Sequence, residues 1–247
     1  MTQIHLNSRY ADSYNNNNSI SDCNFYLPRY DTPNDNQIYV SIQQANIAHS
    51  FYNITSSNNY FKYAFNNDQV LRTLIINPGN YTSYSLLDYL NLNFYNIDVS
   101  YNAISNKYIF TGASDFTFYY ESYFFSPWFT VFGFTMVDQI NNQKVLTSNI
   151  CSNLSTVRCI CVSSNLSTDN FAKNSVNNKQ ILCSIPVNVS PFSIIIYQNV
   201  TGFKTNLFSN TLNYVNLKLI DQDGILIDLN GCHWSCVLQI DVVDFVN

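Results

Sequence analysis

The stretch from Tyr214 to Val243 constrains the fold most. Val215, Leu217 and Leu219 alternate with polar neighbours, Asp221-Gln-Asp-Gly224 supplies turn chemistry, and Ile225, Ile227 and Leu229 resume the same period-two alternation. The pattern predicts a hairpin. Asn230-Gly231 marks a second turn, after which Trp234, Cys236, Leu238, Ile240 and Val242 face one way and Ser235, Gln239 and Asp241 the other. Two or three consecutive antiparallel strands of this kind close a β-sandwich. The last of them is expected to be central, so that the domain folds as one piece.

The rest of the chain repeats this grammar. Cys23, Phe25 and Leu27 alternate before Pro28, and Asp31 to Asn36 is a turn-rich spacer leading to Ile38, Val40 and Ile42. Ala45 to Ile54 stays extended, Tyr60 to Phe65 and Val70 to Ile76 form a strand pair, and Ile97 to Phe118 contains a hairpin turning at Ala103 to Asn106. Strands are also expected at Val157 to Val162, Ile181 to Val189 and Phe192 to Tyr197, with Gly202 to Asn210 a loop. A helix is expected at Thr82 to Phe94, where Tyr84, Leu87, Leu90 and Phe94 recur at helical spacing behind a Thr82 or Ser83 cap. Ser126-Pro127 offers the start of a single turn, Trp128 to Phe132, stopped by Gly133. Roughly eight to ten strands with one or two short helices predict an all-β antiparallel sandwich with long loops rather than a βαβ fold. Residues 1–22 read as an N-terminal arm with an Asn-rich loop, and residues 23–247 as one domain in which 138–180 is a loop insertion.

Composition narrows the function. The chain has 247 residues, enough for a full core in one domain. Charged residues make up 11% and aromatic residues 16%, with 19 Tyr and 18 Phe, so solubility rests on neutral polar groups that are cheap to desolvate. That balance suits broad protein–protein burial. A net charge of −5 without a Lys/Arg cluster argues against nucleic-acid binding. No run of eighteen apolar residues is present, so no membrane span is expected. Met1-Thr-Gln-Ile-His lacks the basic and apolar regions of a signal peptide, so secretion by that route is not expected. Seven cysteines, an odd number, read as reduced thiols rather than a disulfide framework.

Chemistry-bearing clusters are few. His5, His49 and His233 have no Gly-x-Ser-x-Gly nucleophile to serve. Cys232-His233-Trp-Ser-Cys236 lacks the second pair that a structural zinc site needs. Cys159 and Cys161 share one face of a strand, toward core or partner. Asp221, Asp223 and Asp228 lack the ligand run of a calcium loop. The aromatic stretch Phe116 to Trp128 offers either stacking platforms for a glycan or anchors for core and interface. No catalytic, cofactor-binding or metal-binding residue is assigned, and no enzymatic activity or cofactor is expected.

Several segments together resemble the penton, or minor capsid, proteins of virophages, polinton-like viruses and large eukaryotic DNA viruses. These are Ile4-His-Leu-Asn-Ser-Arg9, Phe51-Tyr-Asn-Ile54 with Asn58-Asn-Tyr-Phe61, and Asn77-Pro-Gly-Asn-Tyr-Thr82 leading into Leu86-Leu-Asp-Tyr-Leu90. The series continues with Phe132-Gly-Phe134, Val162-Ser-Ser-Asn-Leu166 and Asp221 to Gly231 with Trp234 beyond. The resemblance implies a single jelly roll that forms a homopentamer at the icosahedral vertices of a double-stranded DNA virus. It implies double-jelly-roll major capsid protein trimers and other minor capsid proteins as partners, and a virion location after assembly in the host cytoplasm or viral factory. The competing expectations are a cement protein elsewhere on the shell and a jelly-roll glycan- or receptor-binding module.

Overall fold

The structure, a computed structural model, describes residues 1–17, 19–31, 36–68, 70–119, 131–135, 139–140, 144–166, 171–172, 179–209 and 211–244. The chain divides into two compact units, one of Met1–Phe51 with Val157–Asn247 and the other of Tyr52–Thr156. The first unit begins with β1 (Thr2–Asn7), a short 3-10 turn (Ser8–Tyr10), β2 (Ser13–Tyr14), β3 (Asp22–Asp31) and β4 (Asn36–Ala48). The second holds β5 (Tyr60–Phe65), β6 (Arg72–Ile75), the helix α1 (Ser83–Asn93), β7 (Ile97–Asn102), β8 (Lys107–Gly112), β9 (Phe116–Tyr119), β10 (Gln139–Ile140) and β11 (Val145–Thr147). The chain then returns to the first unit for β12 (Cys159–Ser164), β13 (Phe171–Ala172), β14 (Lys179–Pro186), β15 (Ile194–Gln198), β16 (Thr205–Leu207), β17 (Thr211–Ile220) and β18 (Ser235–Asp244).

The first unit is a sandwich. One sheet runs β1-β18-β4-β15 with β16 also on β4, and the other runs β13-β14-β12-β17-β3-β2. Every pairing is antiparallel. Taking β1, β3, β4, β12, β14, β15, β17 and β18 as strands one to eight, the sheets read 1-8-3-6 and 2-7-4-5, which is the jelly-roll order. Inward residues of both sheets form one core, with Ile38, Val40 and Ile42 facing the layer that holds Ile160, Val162, Val215, Leu217 and Leu219.

A β-bulge explains why β4 reads as two segments in the sequence. Val237 pairs with Gln44 but Leu238 pairs with Ile42, so Gln43 is an extra residue on β4. The buried positions accordingly change phase, from Ile38, Val40 and Ile42 to Ala45 and Ile47. One strand therefore carries two alternation patterns.

Other expectations are corrected by the structure. Within residues 1–22, read as an N-terminal arm, β1 pairs along its length with β18, from Thr2↔Ile240 to Asn7↔Ser235. The hairpin expected from Val215 to Leu229 is reduced to its turn end, where the Asp221 amide donates to the Ile225 carbonyl at 2.8 Å and the Ile227 amide to the Leu219 carbonyl at 3.0 Å. Residues 225–229 form only one isolated bridge, Ile220↔Leu226, yet Ile227 and Leu229 are buried. The alternation there reports a loop that lines the core. The segment 138–180 is no single insertion, because β12 and the start of β14 fall within or at the end of it. What stands between β4 and β12 is instead the whole second unit, so residues 23–247 are not one compact body. Gly202 to Asn210, expected as a loop, contains β16.

The second unit has two sheets, β10-β9-β5-β6 and β11-β8-β7, with α1 packed on β7. The helix appears where the spacing predicts it. Thr82 Oγ1 accepts from the Ser85 amide at 3.1 Å while Ser85 Oγ accepts from the Thr82 amide at 2.9 Å, a capping box. Its buried face is Leu86 and Leu90 followed by Phe94, whereas Tyr84 is exposed. Phe61, Phe110, Phe118, Phe132 and Phe134 form an aromatic core, with Phe61 and Phe132 ring centroids 4.7 Å apart and Phe110 edge-on to Phe118 at 5.0 Å. The expected turn at Trp128 lies largely outside the described residues. Its last two residues, Val131 and Phe132, are helical, and Gly133 follows at φ +80°.

Gly133 supplies a test of this core. A Cβ there would lie 2.1 Å from the Ile150 carbonyl oxygen, whose own amide bonds back to the Gly133 carbonyl at 2.8 Å. Gly202 also has positive φ, +65°, but a Cβ there meets nothing. Gly202→Ala is expected to cost about 1–2 kcal/mol. Gly133→Ala should cost several times that or prevent folding, as chemical denaturation of the two variants will show.

Candidate interaction surfaces

The clusters singled out in the sequence are brought into a mainly structural context. Cys236 points into the core, whereas Cys232 and His233 are exposed. His233 Nδ1 lies 3.1 Å from Ser8 Oγ, and that oxygen accepts from the Trp234 amide at 2.9 Å. Ser8 is fully buried, so the contact clips the 3-10 turn to the approach of β18. Among the described residues no three His, Cys, Asp or Glu side chains are placed to hold a metal ion. His49 contacts the Val189 carbonyl through Nδ1 at 3.0 Å and stacks on Phe51 at 4.4 Å. His5 lies exposed on β1.

Asp221 builds a turn. Its Oδ1 accepts from the amides of Asp223 and Ile225 at 2.9 and 2.8 Å, and Gly224 follows at φ +82°. Burial raises its pKa, against the pull of those amides. Asp228 likewise accepts from the Asn230 amide at 2.8 Å. Trp234 is 2% exposed and donates from Nε1 to the Ile20 carbonyl at 2.8 Å, so it is no stacking platform. Phe116 and Phe118 belong to the aromatic core, and Trp128 lies outside the described residues.

All seven cysteines are free thiols. Ile160 and Val162 take the core side of β12, which leaves Cys159 and Cys161 on its other face. Burial pushes the Cys161 thiol up to about 11, with Cys159 adding to the shift. Burial also raises Cys23 to about 12, assisted by the Asp22 charge, and Cys236 to about 12. Only Cys151 and Cys232 are exposed. A disulfide reagent at neutral pH should therefore modify those two rapidly and the others slowly, with all seven reacting in denaturant. Fast modification of Cys23 or Cys236 in folded protein would contradict this.

The polar network on β3 and β17 carries no signal in the sequence. The Asp22 side chain has no solvent exposure and lies 3.1 Å from Lys218 Nζ. Its oxygens accept from Asn216 Nδ2 at 2.7 Å and Asn15 Nδ2 at 3.2 Å, and also from Asn16. Asn24 Oδ1 accepts from Asn216 Nδ2 and from the Tyr214 hydroxyl. Burial alone would raise the Asp22 pKa, but the hydrogen bonds from Asn216, Lys218 and Asn15 and the Lys218 charge outweigh it, so it lies below the ordinary aspartate value. The ionised group therefore adds stability that is complete above the unfolded-state pKa and is lost as pH falls through the lower folded value. Asp22→Ala should cost about 2–3 kcal/mol at neutral pH. It should also flatten the acid limb of the stability profile below pH 3.8, which urea titrations at several pH values will check.

The first sheet ends at β15, an edge strand in the described structure, where Ile194 and Ile196 are 60% and 66% exposed. Phe192 and Val200 flank it and are also exposed. Such an edge combines apolar side chains with unpaired backbone groups and is a place for another chain to add. At the opposite edge, β1 presents Thr2, Gln3, His5 and Asn7, all exposed and polar.

This architecture defines a single jelly roll with a second unit inserted between its third and fourth strands. The same fold occurs in solved viral structures. The chain superposes on the mavirus penton protein with a TM-score of 0.52 and 13% identity, covering 98% of this chain and 100% of that one. It matches a chain of the Sputnik virophage, determined by cryo-EM, with a TM-score of 0.51 and 12% identity, covering 98% of each. No protein-family model matches the chain, and no curated protein matches it by sequence.

Proposed function

We propose that this chain is a non-enzymatic structural protein of a viral capsid and, within that class, a penton subunit that forms a homopentamer at icosahedral vertices of a double-stranded DNA virus. The observation that carries the reading is likeness over whole length. Both the jelly roll and the unit inserted in it fall within the 98% of the chain that superposes on a penton protein. A jelly roll alone hosts many functions, so the shared insertion adds weight that fold class by itself would not.

Physical properties support the same reading. A ring closes through heterologous contacts, in which two different surfaces of each subunit meet. The first sheet offers two unlike edges, apolar at β15 and amide-rich at β1, which supplies the asymmetry a ring requires. The sparse charge, 11% of residues, lowers the cost of burying such surfaces. On this reading the partners are other copies of the chain, the double-jelly-roll major capsid protein trimers around the vertex and other minor capsid proteins. The protein resides in the virion after assembly in the host cytoplasm or viral factory.

Native mass spectrometry of the purified protein tests the proposal. The expected result is a species near five times 28.4 kDa, alone or on addition of the major capsid protein. A monomer that neither assembles with itself nor associates with capsid trimers would overturn the penton reading.

A further inference from the structure

The outward face of the sheet β1-β18-β4-β15 holds a groove of about 470 Å³, within the size range of small-ligand sites. Its floor is a single row across four strands. His5 pairs in register with Val237, Val237 with Gln44, and Gln44 with Gln198. The bulge at Gln43 bends the sheet here and sets two consecutive glutamines of β4, Gln43 and Gln44, along the groove. Gln3 completes the polar lining at the β1 edge.

The chemistry of the lining is narrow. Gln43 is held by Ser41 at 2.9 Å and Gln3 approaches Gln239 at 3.4 Å. The side chains of His5, Gln44 and Gln198 make no hydrogen bond to any described residue and face solvent. Each free amide offers two donors and an acceptor, and neutral imidazole one of each. No lining residue carries a fixed charge. Asp241 on β18 pairs with Lys204 at 2.6 Å and also feels the charge of the N-terminal ammonium.

An anionic ligand would find no lysine or arginine in the lining, and an apolar one would find little beyond Val200 and Val237. A ligand whose groups both donate and accept without charge matches the free amides. The geometry points to a neutral oligosaccharide as the occupant of this groove, held mainly by Gln44 and Gln198 with His5 at one end. The groove rests on the sheet face, although Gln3, His5 and Gln198 in it belong to the two edge strands that the penton reading uses for ring contacts.

Saturation-transfer NMR and calorimetry on the full chain, with maltotetraose and chitotetraose as neutral probes and sialyllactose as the charged comparator, test it. At least one neutral probe should bind with Kd of about 1 mM or tighter, and sialyllactose more weakly. Gln44→Ala combined with Gln198→Ala should weaken binding by about fivefold or more, with melting unchanged because both side chains are exposed. Absence of binding by both neutral probes at about 10 mM would overturn the proposal, as would binding that the double variant leaves intact. If neither probe binds and Gln44→Arg alters the oligomeric mass, the face is a protein interface and the saccharide site is refuted while the capsid reading stands.

Discussion

The ladder between β4 and β18 is the constraint on which the jelly roll depends. β18 pairs with β4 from Ser235↔Asn46 to Asp244↔Asn36, and on its other side with the whole of β1. It thus joins segments about 200 residues apart in sequence and closes the first sheet across both. Trp234, Cys236, Leu238 and Ile240 enter the core along this single line. Backbone pairing and apolar burial are therefore satisfied by the same residues, and the first sheet is not complete until the last strand is in place. Contacts of such sequence separation are slow to form and make the unit cooperative once formed.

A rigid sandwich of this kind leaves its faces and edges available for function. The core is aliphatic in the jelly roll, built on Ile, Leu and Val, and aromatic in the inserted unit, built on Phe and Tyr. Of the aromatic stretch that looks, in the sequence, like a surface for ligand stacking, Phe116 and Phe118 are consumed by that second core. The outward face of the first sheet is mainly amide with an apolar edge at β15, while Asp22, buried on the second sheet, is held ionised by its partners. Neutral outer surfaces can be covered without the cost of stripping water from charges, which agrees with a subunit that works in an assembly.

The strands were legible wherever burial alternated with period two, as at Val215 to Leu219 and Trp234 to Ile240, and α1 was legible from its cap and spacing. Alternation records burial and not pairing, however, so the core-lining loop at Ile225 to Leu229 mimics a strand. The bulge at Gln43 breaks the alternation inside β4 and hides its continuity. β1 was obscured for another reason. As an edge strand with only Leu6 buried, it carries too little apolar signal to be told from an arm. The inserted unit could not be separated by composition, because its strands use the same residue types as the jelly roll. The Asp22 network and the amide groove were illegible in principle, since Asp22 meets Asn216, and His5 shares a row with Gln44 and Gln198, only through strand register.

Hydrogen exchange read by mass spectrometry on the intact protein tests the central claim most directly. If β18 is the closing central strand, peptides covering Ser235–Asp244 and Asn36–Ala48 will exchange together and among the slowest in the chain, while the edge peptide Ile194–Gln198 exchanges faster. Exchange of Ser235–Asp244 at the rate of an edge or frayed segment, with Asn36–Ala48 still protected, would contradict the account.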